Sequence, residues 1–317
     1  MPKITPHHVW NQAYNKEGVQ ISGSSNKIVG DLSFILTAYT YDYLMYGIND
    51  DGSVISIGEY YSSNGINWSS TGHQKARNIA YYNGEWFASF FEANHFYYST
   101  NGINWSEKTA TNWNGGISVA TNGSSWLVTT TTGCLKIIPS TGAWSNSYTI
   151  GSDGSSRTGF VRWCNGRYYL LLSCSQFGDC SNPVRYSTND GASWSNLTGL
   201  TNGIYRTIAY GNGVYLLGTM NGGILRSTDG ANYSLTSLPA IDCMDISFFP
   251  ELNGFIIMYC YGGVWYSHDG IDFYEDTTTY NHYIMSGKRS TGNNNLYNGN
   301  YIISGGNTIV KLLVDKS

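Results

Sequence analysis

Charge is scarce in this chain. Only 12% of its 317 residues are Asp, Glu, Lys or Arg, with 21 acids against 17 basic residues and a net charge of −4. No more than two positive residues stand side by side, so no basic stripe offers itself to a phosphate backbone, and nucleic acid is not an expected partner. Long apolar runs are also missing. The longest are strand-sized, well short of the roughly 18–20 residues that cross a bilayer as a helix, so membrane insertion is not expected. Met1 to Val9 is polar and carries Pro and His, without the apolar core of an export signal. The expected location is therefore a virion, or the extracellular space reached by lysis. None of the six Cys forms a Cys-x-x-Cys pair, which leaves zinc and redox chemistry without support. Cys174 and Cys180 fall in a local insertion that a disulfide could clip, with free buried thiols as the alternative. The six His show neither metal nor triad spacing. Asn49-Asp50-Asp51-Gly52 lacks the alternating ligands and closing Glu of a calcium loop and reads as a hairpin turn. No metal and no cofactor is expected.

What is abundant is Gly (38), Tyr (27) and Trp (10), and much of it is one repeated phrase. Tyr61-Ser62-Ser63-Asn64-Gly65-Ile66-Asn67-Trp68 returns at Ser99, Asn101, Gly102 and Trp105. It returns again at Ser187, Asn189, Gly191 and Trp194, at Ser227, Asp229, Gly230 and Tyr233, and at Ser267, Asp269, Gly270 and Phe273. A fixed phrase at a period of about 40 residues marks stacked supersecondary units. Its chemistry is that of a turn. Gly supplies a positive φ, Asn or Asp bonds back to the turn's own backbone, and the hydroxyl adds a second local bond. The aromatic that closes each phrase is placed to fill the gap between neighbouring units.

The phrase resembles the Asp-box, or BNR repeat, of sialidase-type β-propellers. Ser187 to Trp194 matches the family pattern Ser-x-Asp-x-Gly-x-Thr-Trp best, with Asn189 for Asp and Ser193 for Thr. The other four copies are one residue shorter between hydroxyl and Gly. The resemblance implies an all-β propeller of four-stranded antiparallel blades, with each box between the third and fourth strands, away from any catalytic pocket.

Asn-Gly between strand-like runs is the strongest short hairpin signal. It precedes the boxes at Asn83-Gly84, Asn122-Gly123, Asn165-Gly166, Asn212-Gly213 and Asn253-Gly254, and recurs at Asn298-Gly299. The runs Leu32 to Tyr39, Tyr43 to Ile48 and Ser53 to Tyr61 add an initial unit. Pro139 to Trp144 is a worn box that keeps Gly and Trp. Seven blades are expected in one domain over 27–317, with six as the alternative. The last unit has no box and is short of a fourth strand. An N-terminal arm, 1–26, is expected to supply it through Gly18 to Ile21, or to dock onto another subunit.

The sialidase resemblance implies an arginine triad, an acid/base Asp and a Tyr–Glu couple. The Arg-Ile-Pro phrase of that family is absent here, and carboxylate pairs cannot be placed across a sugar, so catalysis is not expected. Aligned on the Asn-Gly turns, Arg77 and Arg206 occupy equivalent places before the first strand of their units, and Arg162 lies three residues further on. With the aromatics Trp113, Trp163, Tyr205 and Tyr280, expected in loops, they are the candidate ligand-binding residues. Aromatic faces beside polar groups suit a sugar, and a ring of variable loops on a fixed frame suits adhesion. The expected function is non-enzymatic recognition in a bacteriophage tail, collar or fibre, with a surface glycan or another virion protein as partner. A free propeller lectin and a sialidase-like hydrolase are the alternatives.

Overall fold

The computed structural model describes residues 27–33, 45–48, 53–63, 68–73, 76, 78–90, 94–109, 115–149, 157–173, 182–200, 203–220, 222–238, 243–249, 253–259, 264–276, 288–289, 300–305 and 308–315. Every regular element among them is a β-strand. After β1 (Lys27–Ser33), sheet 1 holds β2 (Met45–Ile48), β3 (Ile55–Ile57), β4 (Tyr60–Ser62) and β5 (Ser69–Ser70). Sheet 2 holds β6 (Asn78–Tyr82), β7 (Glu85–Ser89), β8 (His95–Ser99) and β9 (Ser106–Thr109). Sheet 3 is β10 (Gly116–Thr121), β11 (Trp126–Thr130), β12 (Gly133–Ile138) and β13 (Ala143–Thr149). Sheet 4 is β14 (Arg157–Cys164), β15 (Arg167–Ser173), β16 (Val184–Ser187) and β17 (Ser195–Asn196). Sheet 5 is β18 (Tyr205–Gly211), β19 (Val214–Thr219), β20 (Ile224–Ser227) and β21 (Ser234–Leu235). Sheet 6 is β22 (Cys243–Phe249), β23 (Gly254–Tyr259), β24 (Val264–Ser267) and β25 (Tyr274–Asp276).

Three strands follow. β26 (Lys288–Arg289) pairs in parallel with β2, while β27 (Asn300–Gly305) and β28 (Thr308–Asp315) pair antiparallel. The strand laid against β28 is β1, in register from Lys27↔Asp315 to Ser33↔Ile309. The expected occupant of that place, Gly18 to Ile21, lies outside the described residues, as does the rest of the 1–26 arm.

Sequence composition grades each sheet from inside to outside. Second strands such as Trp126-Leu127-Val128-Thr129-Thr130 are buried throughout, whereas Ser69-Ser70, Ser195-Asn196 and Ser234-Leu235 are exposed. Burial of both faces explains why the inner strands read as continuous runs and not as alternation. Between them, Asn83-Gly84, Asn165-Gly166 and Asn212-Gly213 each take positive φ at both residues. This is the turn whose twist matches two antiparallel strands.

The sheets stack face to face, and each gap between sheets 1 and 6 is filled by one apolar cluster. Phe87 and Phe96 of sheet 2 meet Val128 and Trp126 of sheet 3, and Leu127 and Cys134 of sheet 3 meet Tyr168 and Leu170 of sheet 4. Tyr169 and Leu171 meet Tyr205 and Leu217 across the next gap, and Val214 and Leu216 meet Phe255 and Ile257 across the one after. The aromatics of the second to fifth phrases, and that of the worn box, land in the gap toward the preceding sheet. Trp105 packs beside Val54, Trp144 in the Phe87 cluster, Trp194 in the Tyr168 cluster, Tyr233 beside Tyr205 and Phe273 beside Leu216.

The phrase itself lies between the third and fourth strands of its sheet. At the second copy the Ser99 hydroxyl accepts from the N–H groups of Asn101 (3.1 Å) and Gly102 (2.9 Å). Asn101 Oδ1 accepts from Ile103 (3.0 Å) and Asn104 (2.8 Å), and the Trp105 indole N–H donates to Gly102 O at 3.1 Å. The longer third copy fits its extra residue, Asp190, at φ 56°. Ser187 and Asn189 make the same bonds to Gly191 and Ser193.

Gly102 has φ +71°, and a Cβ there would stand 2.7 Å from the Trp86 indole, whereas Gly213, at φ +75°, has nothing within 4 Å of such a Cβ. Gly102→Ala is expected to cost about 3 kcal/mol, from left-handed strain plus overpacking, and Gly213→Ala about 1 kcal/mol from strain alone. Urea unfolding of the two variants measures the difference. Equal costs would mean that the indole does not anchor the turn.

Candidate functional site

A first strand has a hydrogen-bonded neighbour on one side within its own sheet, so its free edge must be satisfied from elsewhere. The first strands touch in succession, β2 to β6, β6 to β10, β10 to β14, β14 to β18, β18 to β22 and β22 to β26, and β26 pairs back onto β2. Polar side chains bridge these edges. Asn78 Nδ2 donates to Gly116 O at 3.1 Å, joining β6 to β10. Ser118 Oγ lies 3.3 Å from both Val161 O and Val161 N, joining β10 to β14. Thr207 Oγ1 donates to Asp245 Oδ1 at 2.8 Å and accepts from Ile246 N at 3.4 Å, joining β18 to β22.

Ser118, Thr207 and Asp245 share one structural position. Each is the residue just after a register shift in the first hairpin of its sheet, and in sheet 4 that position is held by Phe160. Arg162, two residues on and therefore on the same face, replaces the missing polar group. Its guanidinium lies over the Phe160 ring at 5.5 Å, and Nη1 donates to Ser118 Oγ (3.1 Å) and Val161 O (2.9 Å). Nη2 faces Asp245 Oδ1 at 3.9 Å. Arg162 is 7% exposed and Asp245 2%. Burial lowers the Arg162 pKa from its ordinary value, and the Asp245 carboxylate opposes that shift. One charge pair thus connects sheets 3, 4, 5 and 6 through Ser118, Arg162, Thr207 and Asp245.

The hairpin ends are linked in the same sense. Asn122 N–H donates to Tyr168 Oη at 2.8 Å, the Asn165 amide meets Tyr215 Oη, and Asn212 Nδ2 donates to Asn253 O at 3.0 Å. Starts lie beside starts and turns beside turns, so these first strands run in one direction around the axis. The phrase shares the turn rim. Arg226 Nε donates to Asp269 O at 2.9 Å, and Ser147 Oγ donates to Gly191 O at 2.6 Å. His268, between Ser267 and Asp269 in the fifth phrase, is half-buried, with Nδ1 2.6 Å from Asn253 O.

Of the candidate ligand-binding residues, Arg162 and Arg206 come to neighbouring first strands, Arg206 as the second residue of β18. Trp163 and Tyr205 are not in loops. Trp163 sits within β14 with its ring 4.7 Å from Tyr168, and Tyr205 opens β18 buried against Tyr169. Arg77, Trp113, Tyr280, Asn64, Gly65, Cys174 and Cys180 lie outside the described residues. Sequence reasoning missed Ser118, Thr207 and Asp245. The available signal was that Asp245 is the only acid on a described first strand.

Several reactive groups are committed to the frame. The Asp229 carboxylate accepts from Ala231 N (2.8 Å), Asn232 N (2.8 Å), Asn232 Nδ2 (2.7 Å) and Ser227 Oγ (2.8 Å). These bonds, the Asn232 N–H foremost, hold its carboxyl well below the usual carboxylate range. Cys134, Cys164 and Cys243 are free thiols, and burial pushes Cys134 and Cys164 up to about 12, far from a reactive thiolate.

No protein-family model and no curated protein matches this chain. Solved structures do. YCF48 from Cyanidioschyzon merolae superposes with a TM-score of 0.64 at 13% identity, over 90% of this chain and 98% of that one. YCF48 bound to D1 peptide gives 0.65 at 13% identity, over 93% and 99%. Virginiamycin B lyase from Staphylococcus aureus gives 0.64 at 14% identity, over 90% and 99%. The fold is a β-propeller. Its four-stranded antiparallel sheets are blades, and the same architecture serves the GH74 xyloglucanase of Xanthomonas campestris, matched at 0.63 and 12% identity over 88% of this chain and 53% of that one. Neighbours that include both a peptide-bound protein and enzymes establish architecture and not activity.

Two outcomes are expected. Asp245→Leu strands the buried Arg162 charge and should cost about 3–5 kcal/mol, whereas Arg162→Met/Asp245→Leu together should cost much less. Denaturant midpoints of the two singles and the double measure the coupling. Asp229, with its folded pKa below the unfolded value of about 3.9, stabilises the propeller above that value and loses this contribution as pH falls further. Asp229→Asn, which keeps the acceptor used by Asn101 and Asn189, should therefore melt with a shallower pH dependence below about pH 4. Parallel slopes would show the carboxylate is not held by its donors.

Proposed function

We propose that the chain is a seven-bladed propeller of the Asp-box type acting as a recognition component and not as an enzyme. The seventh blade in this reading is β26, β27, β28 and β1, with its outermost strand contributed by the start of the chain. The succession of first strands from β2 to β26 and back to β2 supports seven, as does the pairing of β1 with β28. The proposed setting is a bacteriophage tail, collar or fibre, where the ring binds a virion protein or a surface glycan. The observation that carries the recognition reading is the engagement of Arg162, Asp245 and Asp229 in interblade and turn bonds. Catalysis would need such groups turned to a substrate. A peptide-bound YCF48 among the similar structures supports a protein partner.

Mass spectrometry of banded particles from the source culture should find the chain at fixed stoichiometry. Its absence there would remove the virion setting. Release of the fluorophore from an aryl sialoside, abolished by Arg206→Ala, would replace recognition with hydrolysis.

A further inference from the structure

The chain uses Asn-Gly as a turn in its first hairpins, and the same dipeptide carries a reaction of its own. The amide nitrogen of Gly can attack Cγ of the preceding Asn, because glycine puts no side chain in the way. A C–N bond closes a five-membered succinimide, the Gly nitrogen gives up its proton to solvent base, and the side-chain nitrogen leaves as ammonia. Water then opens the ring at either carbonyl, giving Asp or isoaspartate. In an unfolded chain every copy of the dipeptide has this chemistry open to it. The fold decides which copy keeps it.

Three turns allow a comparison at constant backbone. Asn83-Gly84 (φ 48° and 82°), Asn165-Gly166 (47° and 73°) and Asn212-Gly213 (50° and 75°) take the same two-residue conformation. All of these residues are exposed, and a Cβ at any of the three glycines would meet nothing within 4 Å. The side-chain amides differ. Asn212 Nδ2 donates to Asn253 O (3.0 Å) and His268 O (2.9 Å) on the next blade. The Asn165 amide donates to Tyr215 Oη, also on the next blade. The Asn83 amide has no hydrogen-bond partner among the described residues, so its Cγ is free to turn toward the Gly84 nitrogen.

Gly84 N–H donates to Tyr81 Oη at 2.9 Å. That bond runs along N–H, in the peptide plane, and leaves open the faces of the nitrogen from which its electrons reach Cγ. The other described Asn-Gly pairs are held in further ways. Asn101 and Asn122 each keep the side-chain oxygen on two backbone N–H groups. Gly254, which follows Asn253, is buried, and a Cβ there would meet the Tyr266 ring at 2.5 Å. We propose that Asn83 is a spontaneous deamidation site of the folded propeller, and that the interblade bonds of Asn165 and Asn212 protect the equivalent turns. The product places a new carboxylate two residues from Glu85. As isoaspartate it also lengthens the loop that closes the Tyr82↔Glu85 rung by one backbone atom. This inference does not depend on what the propeller binds.

The test is peptide mapping by mass spectrometry of the full chain, incubated folded in mildly alkaline buffer beside the same chain in urea. In the folded chain the Asn83 peptide should deamidate about tenfold faster than the Asn212 peptide, whose two bonds must break first, and severalfold faster than the Asn165 peptide. In urea the three rates should converge. Tyr215→Phe, which removes only the acceptor, should raise the rate at Asn165 toward that at Asn83. Asn83→Gly suits the same turn and should abolish the change at that peptide while the melting temperature is retained. Thermal melts before and after incubation establish that each chain stays folded. If Tyr215→Phe unfolds, the ratio of folded to urea rates at each Asn of the unaltered chain decides alone. Equal rates at the three turns of the folded chain overturn the proposal, as does a lead of Asn165 or Asn212 over Asn83. A difference of the same size in urea does so too, because sequence and not fold would then set it. A folded Tyr215→Phe chain in which Asn165 stays as slow as before removes the protecting role of its bond.

Discussion

The free edge of the first strand governs this molecule. Whereas β2 also pairs with β26, the first strands of sheets 2 to 6 are paired along one side only, and no helix or loop among the described residues covers the other. The chain meets this demand with short polar side chains that reach the next blade's backbone: Ser118 and Thr207 just past a bulge, and Asn78 in a hairpin of continuous register. The bulge matters because it turns one residue out of the ladder and aims it across the gap. Where blade 4 puts Phe160 at that position, a longer side chain two residues on has to do the bridging, and a buried guanidinium then requires a buried carboxylate. The ion pair at the axis follows from one apolar residue in a polar ring.

The same economy governs the rim. Asn and Asp alternate freely in the repeated phrase because the turn needs one side-chain oxygen that accepts two backbone N–H groups, and either residue provides it. The hydroxyl and the glycine are less replaceable. The serine oxygen accepts from the glycine N–H at 2.8–2.9 Å in four copies. The aromatic then commits the turn to the preceding blade, which makes each phrase an interblade fastener as well as a cap.

Local features were legible in the sequence. The Asn-Gly hairpins and the strand-sized runs depend on residues within a few positions of one another, and the position of the phrase between third and fourth strands, which the resemblance implied, is the one observed. Features that depend on two distant blades were not. Nothing near Arg162 in the sequence announces Asp245, and alignment on the turns put Arg162 merely out of step with Arg206. Trp163 and Tyr205 were expected in loops, yet both lie in first strands, and the clusters they join include residues of the neighbouring sheet, Leu127 for Trp163 and Tyr169 for Tyr205. The strand paired with β28 is Lys27–Ser33, whereas Gly18 to Ile21, the segment expected beside the last unit, lies outside the described residues.

That ladder has a mechanical meaning. Lys27 and Asp315 are opposite one another in the antiparallel register, so tension applied through these two residues loads their rung first and then each rung in turn toward Ser33 and Ile309. The hydrogen bonds give way singly, as in a zip, and do not share the load as strands sheared lengthwise would.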